Sequence, residues 1–282
     1  MEDYRGMFRL VPMCRVLRLS RSGYAHWRTH RAARSRDAAL VEEIRRIHQE
    51  SHRTYGSPRI TYELRRRGKH YNRKRIARLM QMHDIRAKTK RRFKVTTHSQ
   101  KTHTDVANLV ERNFTRTSTN RLWTSDMTYI WTREGWLYLA VVLDACSRRI
   151  IGYAMHSRLT ADLVTTALQQ ALTHRTIRAG VVFHSDRGSQ YASSEVTQLL
   201  ARHKMHQSMS RTGSCYDNAI TETFFHTLKT ELSYWERYET RDQARRNIFE
   251  YIEVFYNRQR LHSALGYMSP VDYEQQLTNS MS

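Results

Sequence analysis

The sequence predicts an α/β protein, a mixed sheet flanked by helices, preceded by a basic all-helical region of helix-turn-helix outline. Three observations predict it. Residues 1–100 carry 27 Lys and Arg against 8 Asp and Glu, a net of +19, whereas residues 101–282 carry 21 against 18, a net of +3. In the first part, apolar residues recur at helical spacing between Gly, Pro and Asn breaks. From about residue 107, runs rich in β-branched and aromatic residues alternate with helical segments, as in a sheet with helices packed on it.

The elements follow in order. Residues 12–30, PMCRVLRLSRSGYAHWRTH, read as two short helices around a Ser-Arg-Ser-Gly turn. In 33–52, Leu40, Val41, Ile44 and Ile47 form a helical stripe. In SPRITYELRRRG (57–68), Ser57 is the expected N-cap, Pro58 the first helical residue and Gly68 the terminator. Asn72 is placed to cap RKRIARLMQMHD, which buries Ile76, Leu79 and Met80. Two helices around a short turn, the second basic, make the helix-turn-helix outline. A solvated helical hairpin gives the same pattern, but the surrounding charge favours DNA, with Arg73, Lys74 and Arg78 as the exposed contacts. Residues 86–104 lack apolar periodicity and read as a basic linker able to track phosphates. The expected division is a helical arm over 1–32, a basic helix-turn-helix-like domain over 33–90, a linker over 91–106 and an α/β domain over 107–282.

That last domain opens with RLWTSDMTYIWT (121–132), a strand; REG turns, and WLYLAVVLDA (136–145) is apolar enough for a strand buried on both faces. SRRIIGYAMH (147–156) returns as a third strand. A helix (160–174), a strand (180–186), a helix (193–203) and a strand (206–210) follow, then helices over 218–235 and 241–258. Three antiparallel strands and two helix–strand units make a mixed sheet.

Composition narrows the partner. A net charge of +22 calls for a polyanion. Nucleic acid fits better than an anionic membrane, because the cations are spread over several short helices and not along one broad amphipathic helix. No apolar run approaches the ~18 residues that cross a bilayer, and the N-terminus has no signal-peptide pattern. Cys14, Cys146 and Cys215 form neither a disulfide framework nor a CxxC knuckle, so a soluble protein of a reducing compartment is expected.

Three carboxylates stand out. Asp126 lies inside a strand, where an acid is costly unless paired or bound to a cation. Asp186 ends another strand, where mixed sheets place ligands. In NAITETFFHTLKTELSYW (218–235), Ile220, Phe224, Phe225, Leu228 and Leu232 make the buried stripe, and Glu222 faces away with His226 and Lys229. Two aspartates and a glutamate form a hard-oxygen set suited to Mg²⁺ or Mn²⁺ and not to zinc. Two such ions ~4 Å apart serve an in-line phosphoryl displacement, and Lys229 is then placed to hold a DNA phosphate. Taken singly, each acid also has an ordinary reading: a hydrogen-bonded buried acid, a turn former, a surface helix residue.

The set WTSDMTY, HSDRGSQY and DNAITETFFHTLKTE resembles the catalytic core of bacterial insertion-sequence transposases. It is most similar to the second-frame (OrfB-type) proteins of the insertion sequence 3 family, within the retroviral integrase superfamily. The family's second and third acids are separated by 35 residues, and residues 187–221 between Asp186 and Glu222 number 35. Lys229 matches the family's basic residue seven after the glutamate. The tail FYNRQRLHSALGYMSP and the leaders CRVLRLSRSGYAHW and YGSPRITYELRRRG are also similar to family sequences, so the likeness spans nearly the whole chain. It implies an RNase H-like integrase core and a DDE mechanism: Asp126, Asp186 and Glu222 holding two Mg²⁺ or Mn²⁺ ions, 3′-end cleavage, and strand transfer without a covalent enzyme–DNA intermediate. It also implies a bacterial, nucleoid-associated location in the cytoplasm and a homo-oligomer on paired ends. A first-frame (OrfA-type) partner is implied as well, often fused by frameshifting. Unlike retroviral integrases, the chain has no His-His-Cys-Cys zinc module. Two other readings are an RNase H-like nuclease without strand transfer and a non-catalytic DNA-binding regulator.

Neighbouring residues have plainer expected roles. Asp144 should serve structure, with Arg148 or the backbone. His184 should hydrogen-bond beside the site, and Gly188 should allow close backbone approach or simply turn. Asp217 and Asn218 should cap the glutamate helix. Tyr256, Asn257, Arg258 and His262 either touch DNA or pin the last helix; Arg258 is counted with the DNA contacts.

Overall fold

The computed structural model describes residues 4, 6–29, 31–88, 106–111, 113–114, 116–211 and 218–280, with the side chains of 31–36 set aside. The expected linker, up to residue 105, and the expected cap Asp217 lie outside the described residues. Two compact units are formed, Met1–Ala87 and Lys88–Ser282.

The first unit is helical: α1 (Leu10–Val16), α2 (Arg21–Thr29), α3 (Arg31–Glu50), α4 (Ser57–Arg66) and α5 (Arg73–Met82). The α3 stripe of Leu40, Val41, Ile44 and Ile47 is buried with Ile60 and Leu64 of α4 and Ile76, Leu79 and Met80 of α5. Helix α5 starts as expected, with Asn72 Oδ1 accepting from the Lys74 N–H at 2.8 Å. Helix α4 does not. Its N-cap is Gly56, whose carbonyl takes the Ile60 N–H, so Ser57 is already inside the helix and makes no capping bond. Arg73, Lys74 and Arg78 lie exposed, opposite the buried stripe of α5. Other cations of this unit are engaged in ion pairs: Arg75 with Asp37, Lys69 with Glu43, and Arg67 with Glu50 and Glu63.

The second unit is built on a five-stranded sheet of order β3-β2-β1-β4-β5. Its strands are β1 (Leu122–Thr132), β2 (Gly135–Asp144), β3 (Ile150–His156), β4 (Val182–Ser185) and β5 (His206–Met209). β1, β2 and β3 pair antiparallel, and β4 and β5 run parallel to β1. The mixed sheet follows from the connections, tight turns among the first three strands and helical crossovers through α6 (Ala161–His174) and α7 (Ser194–Arg202) for the last two. Trp123, Ala140, Val142, Ile151 and Phe183 meet Leu163, Val164, Leu168, Val196 and Leu200 of these helices in one core. Close approach needs Gly152 on β3, where a Cβ would stand 2.2 Å from the Ala167 carbonyl oxygen of α6.

On the other side of the sheet lie α8 (Ala219–Leu228) and α9 (Arg241–Glu250), and α10 (Pro270–Asn279) closes the chain. Both α8 and α9 run on into π-helical turns, Lys229–Ser233 and Tyr251–Tyr256, so each expected long helix is an α-segment with a wider-wound end. Asn257 pins the edge of the sheet: its side-chain amide donates to the Ile150 carbonyl at 2.9 Å and accepts the Ile150 N–H at 3.0 Å. Tyr256 and His262 are buried and stack edge to face. Of the four tail residues, three therefore pin, and Arg258 alone is exposed. Among the described residues no helix is long and apolar enough to cross a membrane.

Candidate active site at the parting of two strands

The parallel register sets the two aspartates level. β1 and β4 pair at Leu122↔Val182, Trp123↔Phe183 and Thr124↔His184, and two residues further along each chain stand Asp126 and Asp186. The period of two gives Asp126 the same sheet face as Thr124. β4 ends at Ser185, and beyond this level, among the described residues, β1 pairs on that side through no further strand but only an isolated bridge from Thr132 to Tyr238.

Helix α8 is tied to the same place. Thr221 Oγ1 donates to Thr124 Oγ1 at 2.7 Å, and Asn218 Nδ2 donates to the Ser125 carbonyl at 3.2 Å. Asn218 stands at the N-cap position but makes no capping bond: its Nδ2 is turned to β1, and its Oδ1, the atom that would cap, is buried and takes no hydrogen bond among the described residues. Glu222 follows Thr221 and lies on the exposed side of the helix.

The acids burden one another. Asp126 keeps a strip of exposed surface, yet protein atoms crowd its carboxyl, and its pKa is pushed up to about 8. Desolvation is the main cause and the charge of Asp186 the next, against the Met127 N–H that donates to Oδ1 at 2.7 Å. Asp186 is also raised by burial, opposed by the Gly188 N–H at 3.1 Å. Burial and then Asp186 raise Glu222. Desolvation lowers Lys229, whose ammonium lies 5.1 Å from the Tyr129 ring centroid, while Asp126 and Tyr129 pull the other way. Asp126 is thus within electrostatic reach of Asp186, Glu222 and Lys229, and Glu222 of Asp186. As the side chains stand, no three His, Cys, Asp or Glu among the described residues close around one point as metal ligands. The donor set itself fits a hard divalent cation: three carboxylates that resist joint ionisation, without a nitrogen or sulfur ligand.

The other expected residues fall into place around it. Asp144 is fully buried and structural, accepting N–H bonds from Asn120 at 2.7 Å and Cys146 at 2.9 Å. His184 Nδ1 meets Ser208 Oγ at 2.9 Å inside the sheet. Gly188 is both turn and donor to Asp186. Sequence reasoning missed Tyr191, fully buried with its hydroxyl 3.0 Å from Ser125 Oγ beside the aspartates. It also missed the buried Glu231–Arg260 pair, to which Tyr251 donates at 2.8 Å. The signal for Glu231 was its place three residues after Leu228, on the apolar face of the helix.

Comparison with known proteins identifies the framework. The family described as integrase core domain matches residues 116–215, and a second family of the same description matches 222–277. A family of HTH-like domains matches residues 35–93. Transposase InsF for insertion sequence IS3A, from Escherichia coli K12, is 41% identical over 281 residues, 97% of this chain and 96% of the relative. The insertion element IS600 uncharacterized 31 kDa protein of Shigella sonnei is 42% identical over 265 residues, 93% and 97% of the two chains. Among solved structures, the HTLV-2 integrase catalytic core in complex with magnesium matches with a TM-score of 0.43 and 14% identity, over 55% of this chain and 96% of that one. Sequence identity across almost the whole length settles the family: the chain belongs to the transposases of the insertion sequence 3 family, with an HTH-like domain ahead of an integrase core.

Proposed function

We propose that this transposase works by a DDE mechanism, with Asp126, Asp186 and Glu222 holding two Mg²⁺ or Mn²⁺ ions. The observation that carries the reading is the level placement of Asp126 and Asp186 across the β1–β4 register, beside a helix tied to β1 one residue before Glu222. Once bound, such ions would activate a water or a 3′-hydroxyl and stabilise the leaving oxygen of an in-line displacement.

The chain's own groups supply the rest. The Met127 and Gly188 N–H groups fix the orientation of the two aspartates. Lys229, held over Tyr129, offers an ammonium to a DNA phosphate at the edge of the site. Arg73, Lys74 and Arg78 grip the duplex, and Arg258 adds a contact on the second unit. One phosphodiester replaces another, so no nucleotide is consumed. Two or more copies act on paired ends, with a first-frame partner supplying end recognition.

The test is strand joining on element-end DNA with Mg²⁺. Asp186→Asn and Glu222→Gln should each abolish joining, at least about a thousandfold, and leave DNA affinity nearly unchanged. Persistent joining in either variant removes that residue from the site. Cut but unjoined products from the unaltered chain would favour the nuclease reading.

A further inference from the structure

Beyond the level where β4 ends, the β1–β2 hairpin carries three large rings in solvent: Tyr129, Trp131 and Trp136 are 43%, 59% and 41% exposed. Trp131 and Trp136 are register partners, and Tyr129 shares their face by the period of two. The opposite face is buried through Thr128, Ile130, Thr132, Leu137 and Leu139, so the hairpin's core function is met without these rings. Trp136 meets both neighbours edge to face, at 4.9 Å from Tyr129 and 4.8 Å from Trp131. The Lys229 ammonium stands over Tyr129. Three adjacent exposed aromatics form a patch that asks for an occupant.

We propose that Tyr129, Trp131 and Trp136 form a stacking platform for unpaired bases of the DNA strand engaged at the acidic site, with Trp131 taking a base on its face. This rests on the placement of strand chemistry at Asp126, Asp186 and Glu222. The link to the acids runs round the edge of β1 past the end of β4: the rings occupy the sheet face opposite Asp126, and Lys229, which stands over Tyr129, also lies within electrostatic reach of Asp126. Charge supports the platform, since an ammonium beside exposed rings matches the phosphate and π-face of a nucleotide. The rings are also braced by one another, which lowers the ordering cost of binding. Stacking of this kind tolerates any base sequence, so the platform would hold an opened strand end and leave recognition of the duplex to other parts of the chain.

The experiment uses the full chain in chelator, with an oligothymidylate and a blunt duplex of equal length as probes. Oligothymidylate should quench tryptophan fluorescence, Trp131→Ala should weaken its binding about tenfold, and Trp131→Phe should retain most of it. Duplex affinity should stay within about twofold. Equal loss on both DNAs, or no loss on either, overturns the platform. A change in sedimentation with both affinities intact also overturns it and assigns the face to a second copy of the chain. Neither metal nor the acids enter this measurement. A failure of the platform is therefore distinguishable from a failure of the acidic site, which the joining assay alone reports.

Discussion

The two units share exposed ion pairs but differ in the charge they hold inside. In Met1–Ala87 the core is mainly aliphatic, and the ion pairs Arg75–Asp37 and Arg67–Glu50 keep a good share of their surface in water. In Lys88–Ser282, Glu231 and Arg260 pair at only 7% exposure each, Asp144 is fully enclosed, and Asp126 is desolvated. Surface charge is cheap, screened by salt and suited to gripping a polyanion wherever it lies. Interior charge is costly, so it survives where geometry must be held or where a reaction uses it.

The sharpest way to break this contrast is to remove one partner from each kind of pair. Although burial alone would lower it, the Arg260 guanidinium is held well above its usual pKa by the Glu231 carboxylate, which it meets through Nε and Nη2. Arg260→Ala strands that carboxylate in the interior and should cost about 3–5 kcal/mol in chemical denaturation. Arg75→Ala, by the same measurement, should cost less than about 1 kcal/mol. Similar losses for both would mean that burial does not separate the two units energetically.

The second effect depends on pH. The folded pKa of Asp126, about 8, lies above its ordinary value of 3.8, so the native state binds this proton more tightly than the unfolded chain does. The corresponding stability is fully present below about pH 4 and is lost as pH rises toward 8. In chelator, the second unit should therefore lose on the order of a few kcal/mol over that window, and Asp126→Asn should flatten the dependence. A divalent cation should offset the loss in the unaltered chain. A flat profile in chelator would show that the carboxyl is better solvated than its surroundings imply.

These interior features were unequally legible in the sequence. The sheet could be read because WLYLAVVLDA and RLWTSDMTYIWT differ so clearly from the helical texture before them, and strands of that kind pair locally. The acids Asp126 and Asp186 were visible as charges in strand-like surroundings. Their level placement was not, since it depends on a parallel register set across a helical crossover. The wide turns at Lys229–Ser233 and Tyr251–Tyr256 were hidden because a fixed step of ~100° per residue has no place for an inserted residue. Ser57 and Asn218 misled for a common reason. Each is a good capping residue by type, but the helix start at Gly56 and the tie to Ser125 decided otherwise.

The exterior half of the contrast predicts a salt effect. Exposed Arg73, Lys74 and Arg78 should each release counterions on binding duplex DNA. Replacing all three by Gln should reduce the slope of log K against log [salt] by up to about 2.7, at ~0.9 per phosphate. Lys229→Gln should change it by no more than about 0.9. An unchanged slope in the triple variant would move the grip to another face of the chain.

The smallest effect tests the helix starts within the first unit. Asn72 Oδ1 satisfies the Lys74 N–H, an orphan donor of α5, whereas the Ser57 hydroxyl makes no such bond in α4. Asn72→Ala should therefore cost about 1 kcal/mol. Ser57→Ala should cost only a few tenths, as for an exposed residue already within the helix. The two side chains are both common capping types, so the difference between the variants measures backbone position and not residue chemistry. Equal costs would place the start of α4 at Ser57 after all, one residue later than the Ile60-to-Gly56 bond sets it.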